Sequence, residues 1–228
     1  MISYLDWVHQ KMNPAEYLVI EGPSGVGKTS LARKLAKTLK YDLLLESSGD
    51  NPFLTRFYQD RHQYALQTQL SFLIDRIQRL ESLNQSDMFR TSWIANFFLE
   101  KDLLFAEFTL DSDEFEIYRH LYDKLRPKIP PPGLVIFLQA PVSLLQSRLF
   151  NRNLPDEHRI PLDYLTELAD NYSRFFLRYK KSPLLMINTE HVDFIHNEDD
   201  YTALLDYLPA ITNGRHFFNP LGSVVSLS

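Results

Sequence analysis

The residues best suited to chemistry lie near the start of the chain, where glycine, lysine and hydroxyl side chains follow each other at fixed spacing. Residues 22–29 read Gly-Pro-Ser-Gly-Val-Gly-Lys-Thr. Glycines let successive backbone N–H groups turn towards one point, and a lysine after them adds positive charge. This segment matches the P-loop pattern G-x-x-x-x-G-K-[ST] in full. The sequence therefore predicts a site for the phosphates of a nucleotide.

The predicted contacts of this loop follow from the chemistry of its residues. Lys28 can reach the β- and γ-phosphates of ATP, and the Thr29 hydroxyl can bind Mg²⁺. The predicted ATP-binding residues of the loop are Gly22, Ser24, Gly25, Val26, Gly27, Lys28, Thr29 and Ser30. The pattern indicates a nucleotide, but it does not say which molecule receives the phosphate.

The segments around the loop supply the elements that such a loop requires. The apolar run at 17–21 predicts a buried strand before it, and leucines at 31, 35 and 39 predict a helix after it. Further strands are predicted at 43–45, 92–95, 133–138 and 183–188, with helices at 52–83, 99–108, 111–125 and 161–180. Strands that alternate with helices predict an α/β fold of P-loop NTPase type, with a five-stranded parallel sheet and helices on both faces.

Length and composition favour a single domain. The chain has 228 residues, of which 44% are hydrophobic, so it can bury one sizeable core. Because no linker rich in proline, glycine or serine divides it, we predict one kinase-like domain at 1–210 and a weakly patterned tail at 211–228.

The net charge and the hydropathy of the chain indicate which classes of partner and which cellular location to expect. The net charge of −5 gives no electrostatic reason to expect a nucleic acid polymer or an anionic membrane as partner. No apolar run approaches the roughly 20 residues of a membrane helix. Asp6 and His9 lie where a signal peptide needs apolar residues, and cysteine is absent. We therefore expect a cytoplasmic protein.

Several blocks beyond the loop resemble the deoxynucleoside kinase family. Glu46 ends the second predicted strand, an Asn-Pro-Phe-Leu…Phe-Tyr run then leads to Tyr58, and Arg76 follows Gln69 after seven residues. Segments 101–106 and 148–165 are similar to later blocks of the family, and the resemblance covers about residues 17–208. It implies a kinase of nucleotide salvage that transfers the γ-phosphate of ATP to the 5′-hydroxyl of a deoxynucleoside. It also implies a homodimer.

The resemblance implies roles for the acceptor residues. Glu46 would be the general base that takes the proton of the 5′-hydroxyl, while Tyr58 and Glu157 would hold the 3′-hydroxyl of the sugar. Gln69 would pair with the edge of the base, and Arg76 would lie near the base. A carboxylate at the end of a parallel strand does lie at the crevice where such folds bind ligands.

On the donor side, the resemblance implies a short lid. Arg148 and Arg152 would belong to it, stack on adenine and stabilise charge on the transferring phosphoryl group. Asp193 and Phe194 would pack near the adenine. Lys28, Glu46 and Arg152 are thus the predicted catalytic residues.

The sequence departs from the family pattern in three places. Asn96 and Phe97 occupy the places of an acid and an arginine, Leu154 replaces a lid arginine, and serines follow Glu46 where many relatives have proline. Two alternatives stand beside the deoxynucleoside kinase. One is a nucleoside monophosphate kinase of thymidylate type, and the other is a nucleotide-binding interaction protein whose site has decayed.

Overall fold

The strands of the computed structural model form one parallel sheet. The structure describes residues 17–46, 48–85, 92–152 and 160–219. The strands within these ranges are β1 Tyr17–Glu21, β2 Asp42–Leu44, β3 Trp93–Ala95, β4 Leu134–Gln139, β5 Leu184–Asn188 and β6 Arg215–Phe218. Their order is β2-β3-β1-β4-β5-β6, and every neighbouring pair is parallel. The predicted α/β class is confirmed.

The helices connect successive strands. They are α1 Lys28–Leu39, α2 Leu54–Gln59, α3 Arg61–Gln85, α4 Lys101–Thr109, α5 Ser112–Leu125, α6 Val142–Asn151, α7 Leu162–Arg178 and α8 Glu198–Tyr207. Short 3₁₀ turns lie at Ser48–Asp50 and Leu208–Ala210. In the described part of the chain, none of the helices combines the length and the apolar character that a membrane span requires.

The predicted number of five strands is wrong, because the sheet has six. The additional strand, β6, lies in the segment predicted as a weakly patterned tail, and it pairs with β5 at the edge of the sheet. Its four residues, Arg-His-Phe-Phe, show no alternation of apolar and polar side chains, so periodicity does not reveal it.

Helix α8, which leads to β6, is also absent from the elements predicted from the sequence. A signal for its start does exist at Asn197. The side chain of Asn197 accepts from the N–H groups of Asp199 and Asp200, which is the usual capping contact at the start of a helix.

The single helix predicted at 52–83 is two helices in the structure. The break lies at Asp60, whose backbone is extended and whose carboxylate accepts from the N–H of Gln63 at 3.1 Å. An aspartate in this position caps the first turn of the following helix, α3. Residues of both helices line the same cavity.

The centre of the sheet positions the functional residues. All five residues of β1 are buried, as are the first five of β4, so both strands are covered on both faces. Because β1, β2 and β3 are parallel and adjacent in the order β2-β3-β1, their carboxyl ends meet at one edge. The phosphate-binding loop, Glu46 and Asn96 therefore come together there.

Candidate active site

The phosphate-binding loop has a backbone that only glycine fits at two places. Gly22 has φ +151° and Gly25 has φ +83°. A Cβ atom at Gly22 would lie 2.2 Å from the carbonyl oxygen of Leu138, and one at Gly25 would lie 2.8 Å from that of Leu145. Both distances are collisions with backbone atoms. The glycines thus let the loop pack closely on β4 and α6.

Helix α1 begins directly after the loop, and its first turn is open to an anion. Its N-cap is Gly27, so no side chain bonds the N–H groups of this turn. The Nζ atom of Lys28 donates to the carbonyl oxygens of Gly22 at 2.6 Å and Pro23 at 3.2 Å. Burial lowers the pKa of Lys28 to about 8. The lysine is held over the loop, where phosphate oxygens can replace the two carbonyls.

One cavity of about 150 Å³ brings most of the predicted site residues together. Those that line it are Ser24, Gly25, Gly27, Lys28, Thr29, Glu46, Tyr58, Gln69, Arg76 and Arg152. They come from the loop, the end of β2, two consecutive helices and the end of α6. A site for a phosphate donor is therefore continuous with a site for a second molecule.

Glu46 lies in this cavity with its carboxylate already bonded. Its two oxygens face Arg76, at 2.6 Å from Nε and 3.0 Å from one terminal nitrogen. Burial alone would raise the pKa of Glu46, but the attraction of Arg76 and then of Lys101 outweighs it and holds the pKa below its ordinary value. The carboxylate is therefore ionised at neutral pH, as a proton acceptor must be.

Arg76 connects this carboxylate to a second, deeper one. Its other terminal nitrogen forms an ion pair with Asp102, whose side chain is fully buried. Burial raises the pKa of Asp102, to about 7, against the attraction of Arg76. The sequence reasoning placed Arg76 near the base and missed its pairing with Glu46 and Asp102. The two carboxylates are 30 and 26 positions from Arg76, and no local pattern joins them.

The wall beside Gln69 suits a flat, partly polar molecule. Gln69 is buried and donates through Nε2 to the hydroxyl of Thr109 at 3.3 Å, which itself donates to a backbone carbonyl. The neighbouring Thr68 is also buried and lines the cavity, and its hydroxyl has no partner among the described residues. Six aromatic residues also line the cavity: Phe57, Tyr58, Phe72, Phe105, Tyr164 and Tyr172. Planar rings stack well on such surfaces.

The predicted donor residues Arg148, Asp193 and Phe194 lie in a second, more open groove. It borders the outer side of the loop, including Val26 and Ser30. Arg152 lines both the groove and the first cavity, so it lies where the two meet.

The three donor residues are held in different ways. Arg148 donates to the hydroxyl and to the carbonyl oxygen of Thr189, both at 2.9 Å. The carboxylate of Asp193 accepts from two backbone N–H groups of the turn that follows it. Phe194 is buried and packs on Phe218 of β6, with 6.1 Å between ring centroids. These residues form a wall of the groove that suits the base of a nucleotide, and Arg148 contributes the positive charge of that wall. Glu157 and Leu154, at the predicted lid, lie outside the described residues.

Comparison with known proteins decides the family. The family model described as deoxynucleoside kinase matches residues 18–211. This chain belongs to the deoxynucleoside kinase family. It is 31% identical over 200 residues to the deoxyguanosine kinase of Bacillus subtilis. This alignment covers 85% of this chain and 96% of that protein. It is also 30% identical over 186 residues to a deoxyguanosine kinase of Dictyostelium discoideum. That alignment covers 79% of this chain and 65% of that protein.

The fold of the family is also found among solved structures. A deoxyadenosine kinase from M. mycoides, solved with products bound, superposes with a TM-score of 0.71 at 21% identity. The match covers 86% of this chain and 100% of that one. The parallel sheet and its helices therefore have a known arrangement.

This family member carries Asn96 where the resemblance leads us to expect an acid. Asn96 accepts from the backbone N–H of Glu46 at 2.6 Å and donates to the hydroxyl of Thr29 at 2.8 Å. It thereby joins the end of β2 to the phosphate-binding loop. Phe97, in place of an arginine, is buried in the core and does not line the cavity. The arginine that bonds the Glu46 carboxylate is Arg76.

Proposed function

We propose that this chain transfers the γ-phosphoryl group of ATP to the 5′-hydroxyl of a deoxynucleoside. The observation that carries the proposal is the single cavity in which Lys28 and Thr29 meet Glu46 and Gln69. A phosphate site, an ionised carboxylate and a buried amide on an aromatic wall are the parts that this reaction needs. The family to which the chain belongs supports the same reaction.

The reaction needs one proton acceptor and charge stabilisation. The 5′-oxygen forms a bond to the γ-phosphorus while the bond from that phosphorus to the bridging oxygen of ADP breaks. The hydroxyl proton passes to the carboxylate of Glu46, and ADP leaves with the electron pair of the broken bond. Lys28 and Arg152 would stabilise the negative charge on the moving group, since positioning and electrostatics supply most of phosphoryl transfer.

The donor set fits Mg²⁺ that arrives with ATP. Mg²⁺ keeps several waters and is usually held by one or two protein oxygens together with phosphates. Thr29 would provide that oxygen, because its hydroxyl accepts from Asn96 and retains a further lone pair. Among the described residues there is no group of three or more His, Cys, Asp or Glu side chains that would hold a metal without phosphates. Mg²⁺ would shield the charge of the phosphates.

The acceptor side fits a nucleoside better than a nucleoside monophosphate. An additional phosphate on the acceptor requires a cation beside the acceptor, and Arg76, which lies on that side of the cavity, is already paired with two carboxylates. Gln69 would pair with the base edge and Tyr58 would hold the sugar, together with Glu157. The named relatives include kinases of deoxyguanosine, deoxyadenosine and deoxycytidine, and an amide can pair with purines and with cytosine.

The homodimer and the cytoplasmic location expected from the resemblance and the composition stay predictions. Helices α3 and α5 pack together, and each carries an exposed large apolar residue, Ile74 on α3 and Ile117 on α5. Ile117 is 55% exposed. We propose that these two side chains contact a second copy of the chain.

Calorimetric titration tests the proposed sites separately. A non-hydrolysable ATP analogue with Mg²⁺ and each of the four deoxynucleosides would be titrated into the full chain. We expect the analogue and at least one nucleoside to bind. Binding of the analogue without any nucleoside would instead support an interaction protein with a decayed site and contradict the proposal.

A further inference from the structure

Lys101 is a buried cation on the wall of the cavity, and the sequence reasoning assigned no role to it. It is the first residue of α4, it is 4% exposed, and it lines the cavity together with Lys28 and Glu46. Helix α4 follows β3, which lies next to β1 in the sheet. Lys101 thus approaches the phosphate-binding site from the neighbouring strand.

Three groups surround the ammonium, and one of them is the ring of Phe105, whose centroid lies 5.6 Å from Nζ. The Nζ atom lies 2.9 Å from Oε2 of Glu21, and it donates to the hydroxyl of Tyr172 at 3.4 Å. Glu21 in turn accepts from the hydroxyl of Tyr172 and from the backbone N–H of Gly22, the first residue of the loop. The lysine is therefore anchored to the loop itself.

The ammonium has a donor to spare. A lysine ammonium carries three N–H groups. Tyr172 accepts from one of them and Glu21 lies at ion-pair distance, while the described residues offer Lys101 no further hydrogen-bond acceptor. Because Lys101 lines the cavity, the remaining N–H has an acceptor available there once a phosphate enters.

The neighbouring titratable groups respond to Lys101 on both sides of the reaction. Its positive charge acts with burial to lower the pKa of Lys28, and it follows Arg76 among the charges that lower the pKa of Glu46. It also opposes the rise in the pKa of Asp102. Lys101, Lys28 and Glu46 line the same cavity, so the charge of Lys101 acts on both the donor lysine and the acceptor carboxylate.

We propose that Lys101 is a further catalytic residue, whose free N–H donates to the γ-phosphoryl group as that group moves from ADP to the acceptor oxygen. This inference rests on the proposed kinase reaction. In that step the phosphorus–oxygen bond to ADP breaks, the bond to the 5′-oxygen forms, and the hydroxyl proton goes to Glu46. Lys101 keeps its own protons and contributes charge where negative charge builds up.

A purely structural role explains the arrangement less well. A buried ion pair gains little stability over apolar residues of the same size, because removing both charges from water is costly. Asp102 and Arg76 are also buried, so the pair of Lys101 and Glu21 adds two more buried charges. If Lys101 donates to phosphate oxygens in the cavity, the buried pair of Lys101 and Glu21 has a function in the reaction.

The test removes both charges of the pair so that the fold is preserved. The double variant Lys101→Met with Glu21→Gln removes the ammonium together with the carboxylate that pairs with it. We expect kcat to fall by about 10²–10³-fold, the usual effect of losing one donor to a transition-state oxygen. KM for the nucleoside and the thermal midpoint should change little. The matched control is Lys181→Met, since Lys181 is exposed and pairs with Glu100 at 3.0 Å.

Measurements of ligand binding to the double variant then distinguish a catalytic role of Lys101 from a structural one. ADP alone and the nucleoside alone should bind the double variant as they bind the wild type. ADP, Mg²⁺, aluminium fluoride and nucleoside together imitate the moving phosphoryl group, and their affinity should fall with kcat. Wild-type kcat in the double variant, or equal losses for ADP and the mimic, would overturn the inference. A wild-type protein without kinase activity would instead refute the proposed function.

Discussion

The phosphate-binding loop and the acceptor side of the cavity are built by different means. The loop is one continuous segment, 22–29, whose shape depends on glycines and which offers backbone N–H groups at the start of α1. The acceptor side gathers side chains from α2, α3, α4 and α7, and its main charge contact joins Arg76 to residues 30 and 26 positions away. We therefore expect changes in the loop to abolish the reaction. Changes on the acceptor side should alter its rate, pH dependence or selectivity.

The largest effect should come from Lys28→Ala. It removes the cation that meets the β- and γ-phosphates, and turnover should fall by at least about 10³-fold. Steady-state kinetics measure the loss, and circular dichroism checks that the variant is folded. Lys37→Ala, an exposed lysine on the same helix, is the control and should keep the wild-type rate. Wild-type rates in folded Lys28→Ala would contradict the role of the loop.

Glu46→Gln tests the proton acceptor on the other side of the cavity. The amide keeps the size of the side chain and can still accept from Arg76, but it cannot take the proton. We expect kcat to fall by about 10²–10⁴-fold and KM for the nucleoside to change much less. Glu81→Gln, at an exposed position of α3, serves as control. If Glu46→Gln retains nearly normal kcat, Glu46 only positions the acceptor.

The pH profile tests the contact between Arg76 and Glu46. The pKa of Glu46 is lowered, so the carboxylate is active above that pKa and kcat/KM should stay flat just below neutral pH. The double variant Arg76→Gln with Asp102→Asn removes the main cation while burial remains. The pKa of Glu46 should rise, and the acid limb of kcat/KM should move to higher pH.

Asp102→Asn alone is the control for that experiment. It keeps the contact between Arg76 and Glu46, so its acid limb should stay at low pH. An unchanged limb in the double variant would show that Arg76 does not set the pKa of Glu46.

The smallest effect should come from Gln69→Ala. Loss of the Gln69 amide leaves polar atoms of the base unpaired. KM for the preferred nucleoside should therefore rise by about tenfold, or about 1.4 kcal/mol, and the selectivity between nucleosides should weaken. Affinity for ATP should not change. Gln67→Ala, two residues earlier on an exposed face of α3, is the control. Equal kinetics for the two variants would leave Gln69 without a role in recognition.

The sequence predicted best what depends on neighbouring residues. The loop and the first five strands follow from local spacing and apolar runs, so their positions agree with the structure to within a residue or two. β6 could not be predicted from the sequence, because its four residues at the edge of the sheet have no distinctive pattern. The resemblance indicated Gln69 and Arg76, whereas helix periodicity alone would place both on a solvated face.

The remaining part of the site depends on tertiary contacts. Arg76 bonds Glu46 because α3 crosses the end of β2, and Lys101 reaches Glu21 because β3 lies beside β1. Neither pair has a spacing that identifies it. A lysine next to an aspartate at the start of a helix, as at 101–102, usually indicates exposed surface, yet both are buried here.

The most direct test of the central claim is product formation by the purified chain with ATP and Mg²⁺. Each of the four deoxynucleosides and each of their monophosphates would be supplied as acceptor, and the products separated by chromatography. The account predicts equal amounts of ADP and a deoxynucleoside 5′-monophosphate from at least one deoxynucleoside, and no diphosphate from the monophosphates. Absence of product with every deoxynucleoside, or formation of diphosphates from the monophosphates, would contradict it.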